Sequence, residues 1–109
     1  MNWIPLTSIT TLDVIHQNSY TKPQLIFKHS TRCSISSTVK YRLDAVVTNE
    51  LIDCYYLDLI AHRDISNAIA TNYNVVHESP QIILIKNGAC LYHQAQQAIY
   101  WDDVEEHIV

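Results

Sequence analysis

Apolar positions along the chain fall into two kinds of stretch. Four are short and strand-like. Leu25-Ile26-Phe27 is too short for a helix of its own and reads as a buried strand. Cys54-Tyr55-Tyr56-Leu57-Asp58-Leu59 is rich in aromatic and apolar residues and reads as a second. Ile82 to Ile85 are four apolar residues in a row, which predicts a central strand covered on both faces. Asn87-Gly88 follows Lys86 and holds the only glycine of the chain, a strong hairpin signal. The return strand, Ala89 to Gln94, must then run antiparallel. Trp3-Ile4-Pro5-Leu6 adds a short extended segment that its proline confines to a sheet edge or a strand start.

The other stretches have helical spacing. Ile9, Leu12 and Ile15 share a face behind a Thr7 or Ser8 cap. Ile35, Val39, Leu43, Val46 and Val47 do so in a second helix running to about Thr48, with Asn49 as a left-handed cap. Ile65, Ala68, Ile69 and Tyr73 form a third face behind an Asp64 cap. Asp102 and Glu105 have the spacing of a capping box before Val104 and Ile108. Asn18 to Pro23 and His77 to Pro80 are loops. The order helix, strand, helix, strand, helix, hairpin, helix predicts an α/β fold: a mixed central sheet ending in an antiparallel hairpin, with helices on both faces.

At 109 residues the chain is expected to form one domain with one core. A net charge of −4 with no basic cluster argues against a nucleic-acid surface. No apolar run approaches a membrane span, and Met1-Asn2-Trp3-Ile4-Pro5 lacks the basic start and apolar stretch of a signal peptide, so a cytoplasmic protein is the expectation. Three widely spaced cysteines do not make a disulfide framework.

One of those cysteines changes the picture. Cys33 falls where the first buried strand hands over to a helix, in the expected first turn of that helix. Unpaired backbone N–H groups and the positive end of the helix dipole gather there and favour an anion. Lys28, His29 and Arg32 place positive charge nearby, and Ser30, Thr31, Ser34 and Ser36 keep the surroundings polar. Partly exposed, electropositive settings are where thiols react. Ser36, one turn on, is placed to donate a hydrogen bond to a Cys33 thiolate. It cannot attack a disulfide, so a Cys-x-x-Ser site forms a mixed disulfide that it cannot resolve by itself. Cys54 and Cys90 sit on expected strands and read as structural. The six histidines are scattered, Cys90 and His93 have no second pair to complete a zinc set, and a single glycine cannot build a phosphate loop.

The Cys-x-x-Ser site at a strand-to-helix junction, with Ser79-Pro80, an apolar strand and Lys86-Asn87-Gly88 later in the chain, resembles the thioredoxin fold. The string Ile26-Phe27-Lys28-His29-Ser30-Thr31-Arg32-Cys33-Ser34-Ile35-Ser36 is similar, more closely, to the monothiol bacilliredoxins of the YtxJ family. Tyr56-Leu57-Asp58-Leu59 and Ser79-Pro80-Gln81 extend that likeness over nearly the whole chain. Two positions depart. Ser34 stands where those proteins usually carry proline, and Phe27 where thioredoxins carry a buried acid.

The resemblance implies that Cys33 is the nucleophile and that Ser36 occupies the resolving position. It implies a cis Ser79–Pro80 bond in a loop that docks the target, with Ser79, Pro80 and Arg32 as candidate substrate-binding residues. The activity implied is thiol–disulfide exchange: Cys33 attacks the cap of a bacillithiolated protein and is then released by a second thiol or a reductase. Bacillithiolated proteins and bacillithiol would be the partners, with bacillithiol as co-substrate and neither a tightly bound cofactor nor a metal. Monothiol glutaredoxins, which carry iron–sulfur clusters, also resemble the site, although theirs has Gly-Phe between Cys and Ser. A thioredoxin-fold binding module with an unused cysteine is a third reading.

Overall fold

The computed structural model describes residues 1–48 and 50–108, and the left-handed cap expected at Asn49 lies outside the described residues. Among these residues, five strands make one sheet. They are β1 (Trp3–Pro5), β2 (Gln24–His29), β3 (Asp53–Asp58), β4 (Gln81–Lys86) and β5 (Ala89–Ala95), in the order β1-β3-β2-β4-β5. β1 and β2 both run parallel to β3. β4 is antiparallel to β2, and β5 to β4, so the sheet is mixed and ends in the expected hairpin. At its turn Asn87 and Gly88 have φ of 53° and 75°, the left-handed pair that a tight hairpin needs.

Among the described residues, four helices cover the sheet: α1 (Ile9–Asn18), α2 (Ser34–Asp44), α3 (Arg63–Tyr73) and α4 (Trp101–Ile108). Because strand side chains alternate, β2 divides its residues between two cores. Ile26 joins Leu12, Ile15, Ile65 and Ile69 under α1 and α3, whereas Leu25 and Phe27 join Val39, Leu43 and Val104 under α2 and α4. Ile82 to Ile85 are wholly buried between the two layers, as their unbroken apolar run predicts.

Several boundaries differ from the sequence reading. Ile9 stays 44 % exposed, so α1 buries Leu12 and Ile15 only. α2 stops at Asp44, leaving Val46 and Val47 outside it and Val47 almost fully exposed. β-branched residues in succession favour extended backbone. Asp44 also ties down the helix end: its carboxylate takes the Trp3 indole N–H and Lys40, and its carbonyl takes the N-terminus. α3 starts one residue before Asp64, which lies in its first turn, and His62 holds the cap position without a side-chain bond. The Asp102–Glu105 capping box does not form: Asp102 is already inside α4, and Glu105 accepts from the Trp101 indole at 3.0 Å. A 3-10 turn over Gln96–Ala98, between β5 and α4, has no counterpart in the sequence reading.

Candidate thiol site

β2 delivers Cys33 to the sheet end where its own carboxyl terminus and the start of β4 meet. Lys28 is in register with Gln81, so His29 and Pro80, one residue further on, leave the sheet side by side. After His29 the chain makes a tight turn in which the Cys33 N–H donates to the Ser30 carbonyl at 3.2 Å. Cys33 is then the N-cap of α2 rather than a residue of its first turn. Its backbone is extended and its carbonyl accepts the first helical bond, from Ser37 at 3.0 Å. Its half-exposed side chain makes no capping bond. The amides of Ser34, Ile35 and Ser36 therefore have no intrahelical acceptor and put the positive end of the helix dipole beside the Cys33 backbone.

Ser36 departs from expectation. It is not part of a wet surround: its side chain is fully buried. Its oxygen accepts from the Ser30 N–H at 3.0 Å and lies 2.7 Å from His29 Nδ1, and no bond to Cys33 is formed. The hydroxyl pins the beginning of the turn that presents Cys33 to the helix that follows it. His29 is the last residue of β2 and almost wholly buried, packed against the Phe27 and Tyr56 rings. Burial, and secondarily Lys40, lower its pKa, so at neutral pH it is an uncharged imidazole.

Lys28 does not lend charge to Cys33 either. It points into the other face of the sheet, where its side chain is fully buried and Nζ donates to the Ser66 carbonyl of α3 at 3.1 Å. His77 Nδ1, which also faces the Ser66 hydroxyl, lies 3.3 Å from it. Burial brings the lysine down to about 8. Beside it the buried Gln81 holds the loop that leads to Pro80, donating to the Val76 carbonyl and accepting from the Glu78 N–H. Of the three basic residues expected around Cys33, only Arg32 is exposed, and it has no carboxylate partner among the described residues.

These histidines set a pH dependence. Burial, and next Lys28, lower the pKa of His77, as burial does for His29. The folded state therefore takes up a proton less readily than the unfolded one, whose histidines titrate near about 6.5. The stability they support is fully present above about pH 6.5 and is lost as pH falls from there through their depressed folded values. Urea midpoints should be lower at pH 5.5 than at 7.5, and a His29→Gln, His77→Gln double variant should lose less over that interval. An equal loss in both proteins would refute this.

The Ser79–Pro80 bond is cis, as expected. Pro80 is buried, and its carbonyl accepts from the Gln96 N–H at 2.9 Å. The Ser79 carbonyl accepts from Gln96 Nε2 at 2.7 Å, and the Ser79 hydroxyl is buried without a partner. A half-exposed thiol at a helix N-terminus, at the sheet end where the Ser79–Pro80 loop enters β4, can exchange disulfides with an approaching chain.

A family model for the monothiol bacilliredoxin BrxC matches residues 4–104. The chain belongs to that family. Solved structures agree on the fold. One, described as an oxidoreductase with a thioredoxin fold, is 31 % identical, with a TM-score of 0.82 over 95 % of this chain and 91 % of its own. Thioredoxin from Malassezia sympodialis is 12 % identical, with a TM-score of 0.74 over 98 % of this chain and 88 % of its own. Mitochondrial thioredoxin 3 from Saccharomyces cerevisiae is 18 % identical, with a TM-score of 0.71 over 97 % and 92 %. Membership of the bacilliredoxin family on a thioredoxin-like fold assigns the chain to thiol redox chemistry.

The other two thiols differ from Cys33 in setting. Cys54 is buried in β3, and burial pushes its thiol up to about 12. Cys90 on β5 is half-buried, is raised by burial in the same direction, and lies 3.5 Å from the Tyr92 carbonyl. Neither is a good nucleophile at neutral pH. Among the described residues no three His, Cys, Asp or Glu side chains gather as a metal set, and no helix is long and apolar enough to cross a membrane.

Proposed function

We propose that the protein is a monothiol thiol–disulfide oxidoreductase that removes bacillithiol from S-bacillithiolated proteins through Cys33. The observation that supports this most is the placement of Cys33: half-exposed, at the N-cap of α2, with three helix amides lacking intrahelical acceptors beyond it. In the first step the Cys33 thiolate attacks the bacillithiol sulfur of the mixed disulfide. A bond forms between the two sulfurs, the client's S–S bond breaks, and the client leaves as a thiolate that takes a proton from water. In the second step a thiolate from another bacillithiol molecule or a reductase attacks the Cys33 adduct. Cys33 is released as a thiolate, and the incoming thiol is left in the new disulfide. The Ser79–Pro80 loop would hold the client's extended segment by main-chain hydrogen bonds, a strand-addition mode. Ser36 serves in this reading as the pin of the Cys33 turn, and Arg32 as an exposed cation beside an anionic cap, an interaction screened by salt.

The test of specificity is single-turnover exchange with one client peptide carrying either a bacillithiol or a glutathione cap. The bacillithiol adduct should be removed faster. Equal rates would leave general thiol exchange and remove bacillithiol as the preferred cap. A second expectation concerns Ser79. Its buried hydroxyl has no partner, and docking would use its main chain. Ser79→Ala should therefore keep exchange within about twofold and leave stability unchanged or slightly higher. A larger loss of exchange would mean that the hydroxyl, rather than the backbone, contacts the client.

A further inference from the structure

Gln96 stands where the sheet ends. Ala95 is in register with Gln81, so Gln96 lies next to Pro80 on the β5 side, as His29 does on the β2 side. Its φ is 59°, a left-handed conformation that residues with a Cβ rarely adopt and that glycine takes readily. This backbone opens the 3-10 turn and directs both amide groups of Gln96 at the docking loop: its main-chain N–H reaches the Pro80 carbonyl at 2.9 Å, and Nε2 reaches the Ser79 carbonyl at 2.7 Å. The second bond is exposed to solvent and spans 17 residues of sequence. Such a bond contributes little to stability.

A carboxamide carries the same N–H and C=O groups as a peptide bond. Gln96 thus gives the Ser79 carbonyl the donor that the main chain of an extended client would give. We propose that Gln96 is an internal competitor of the client: its side chain holds the client's place on the Ser79 carbonyl and is displaced by a segment that brings a main-chain N–H of its own. This rests on the docking role proposed above for the Ser79–Pro80 loop. A capped cysteine in an extended segment replaces the Gln96 bond in kind. A small disulfide, or a segment without an N–H at that point, has nothing to exchange for it and reacts without the gain of docking.

The experiment compares three probes on the full chain. The first is a peptide with a bacillithiol-capped cysteine in an extended sequence, the second is that peptide N-methylated at one flanking amide at a time, and the third is bis(2-hydroxyethyl) disulfide. Gln96→Gly removes the carboxamide and accepts the left-handed backbone, and Gln96→Ala is a second variant without the added freedom of glycine. In the wild type, methylation of one particular amide should raise KM. Both variants should lower KM for the unmethylated peptide about two- to tenfold, the span of one ordinary neutral hydrogen bond, with kcat unchanged. KM for the peptide methylated at that amide and for the small disulfide should not move. An unchanged or higher KM for the unmethylated peptide would overturn the role of Gln96 while methylation sensitivity in the wild type left the docking loop standing. Indifference of the wild type to methylation at every position would overturn the docking role and this inference together.

Discussion

Cys33→Ala should reduce exchange with a bacillithiolated client to the uncatalysed background, whereas Cys54→Ala and Cys90→Ala should each retain most of it. The three thiols have different surroundings. Only Cys33 combines partial exposure with the N-cap of a helix. Cys54 is buried in the middle of the sheet and its thiol is pushed up to about 12, so it is neither reachable nor ionised at neutral pH. Cys90 is raised as well, because burial outweighs its backbone contact with Tyr92, which acts in the other direction. Urea unfolding of each variant would separate loss of the nucleophile from loss of the fold. Turnover that stops in Cys90→Ala while the Cys33 adduct still accumulates would make Cys90 a resolving thiol and end the monothiol reading.

The second large effect is structural. Ser36→Ala should cost about 2 kcal/mol of stability, because it deprives the Ser30 N–H and His29 Nδ1 of their partner at a fully buried position. In a chain of this size that corresponds to a fall in melting temperature of roughly 8 °C or more. Exchange should slow too, because the amide released is the one that anchors the turn presenting Cys33. His29→Gln should cost less, since a carboxamide can still bond to the Ser36 hydroxyl. A Ser36→Ala variant that melts within about 2 °C of the wild type, a shift worth well under 1 kcal/mol, would show that this hydroxyl is no pin.

The sheet, its hairpin and the position of Cys33 were legible in the sequence because each rests on a local rule. Ile82 to Ile85 admit little but a strand covered on both faces, Asn87-Gly88 admits a tight turn, and a cysteine between strand and helix periods falls at a helix start. What surrounds the thiol was less legible. Lys28 and His29 break the apolar run of Leu25 to Phe27, and polar residues at that point suggest a loop. They instead complete β2, each finding a partner far along the chain or across the turn: Lys28 meets Ser66 and His77, and His29 meets Ser36. Pattern alone does not reveal a buried polar group whose partner lies elsewhere in the fold. Gln96 was missed for a related reason. A glutamine gives no signal for a positive φ, and only the register of β5 against β4 brings it to Ser79 and Pro80. Val46 and Val47 continue the helical spacing of α2, yet this β-branched pair, followed by Thr48, lies beyond the helix end at Asp44.

The proposal that Cys33 takes the cap in a mixed disulfide is tested most directly by mass spectrometry. The protein would be mixed with an S-bacillithiolated client, quenched by acid, weighed intact and then mapped by peptide. The account predicts one bacillithiol per protein, carried on the peptide that contains Cys33, with an equal amount of client recovered as free thiol. Release of the client thiol with no adduct on Cys33, or with the adduct on Cys54 or Cys90, would contradict it.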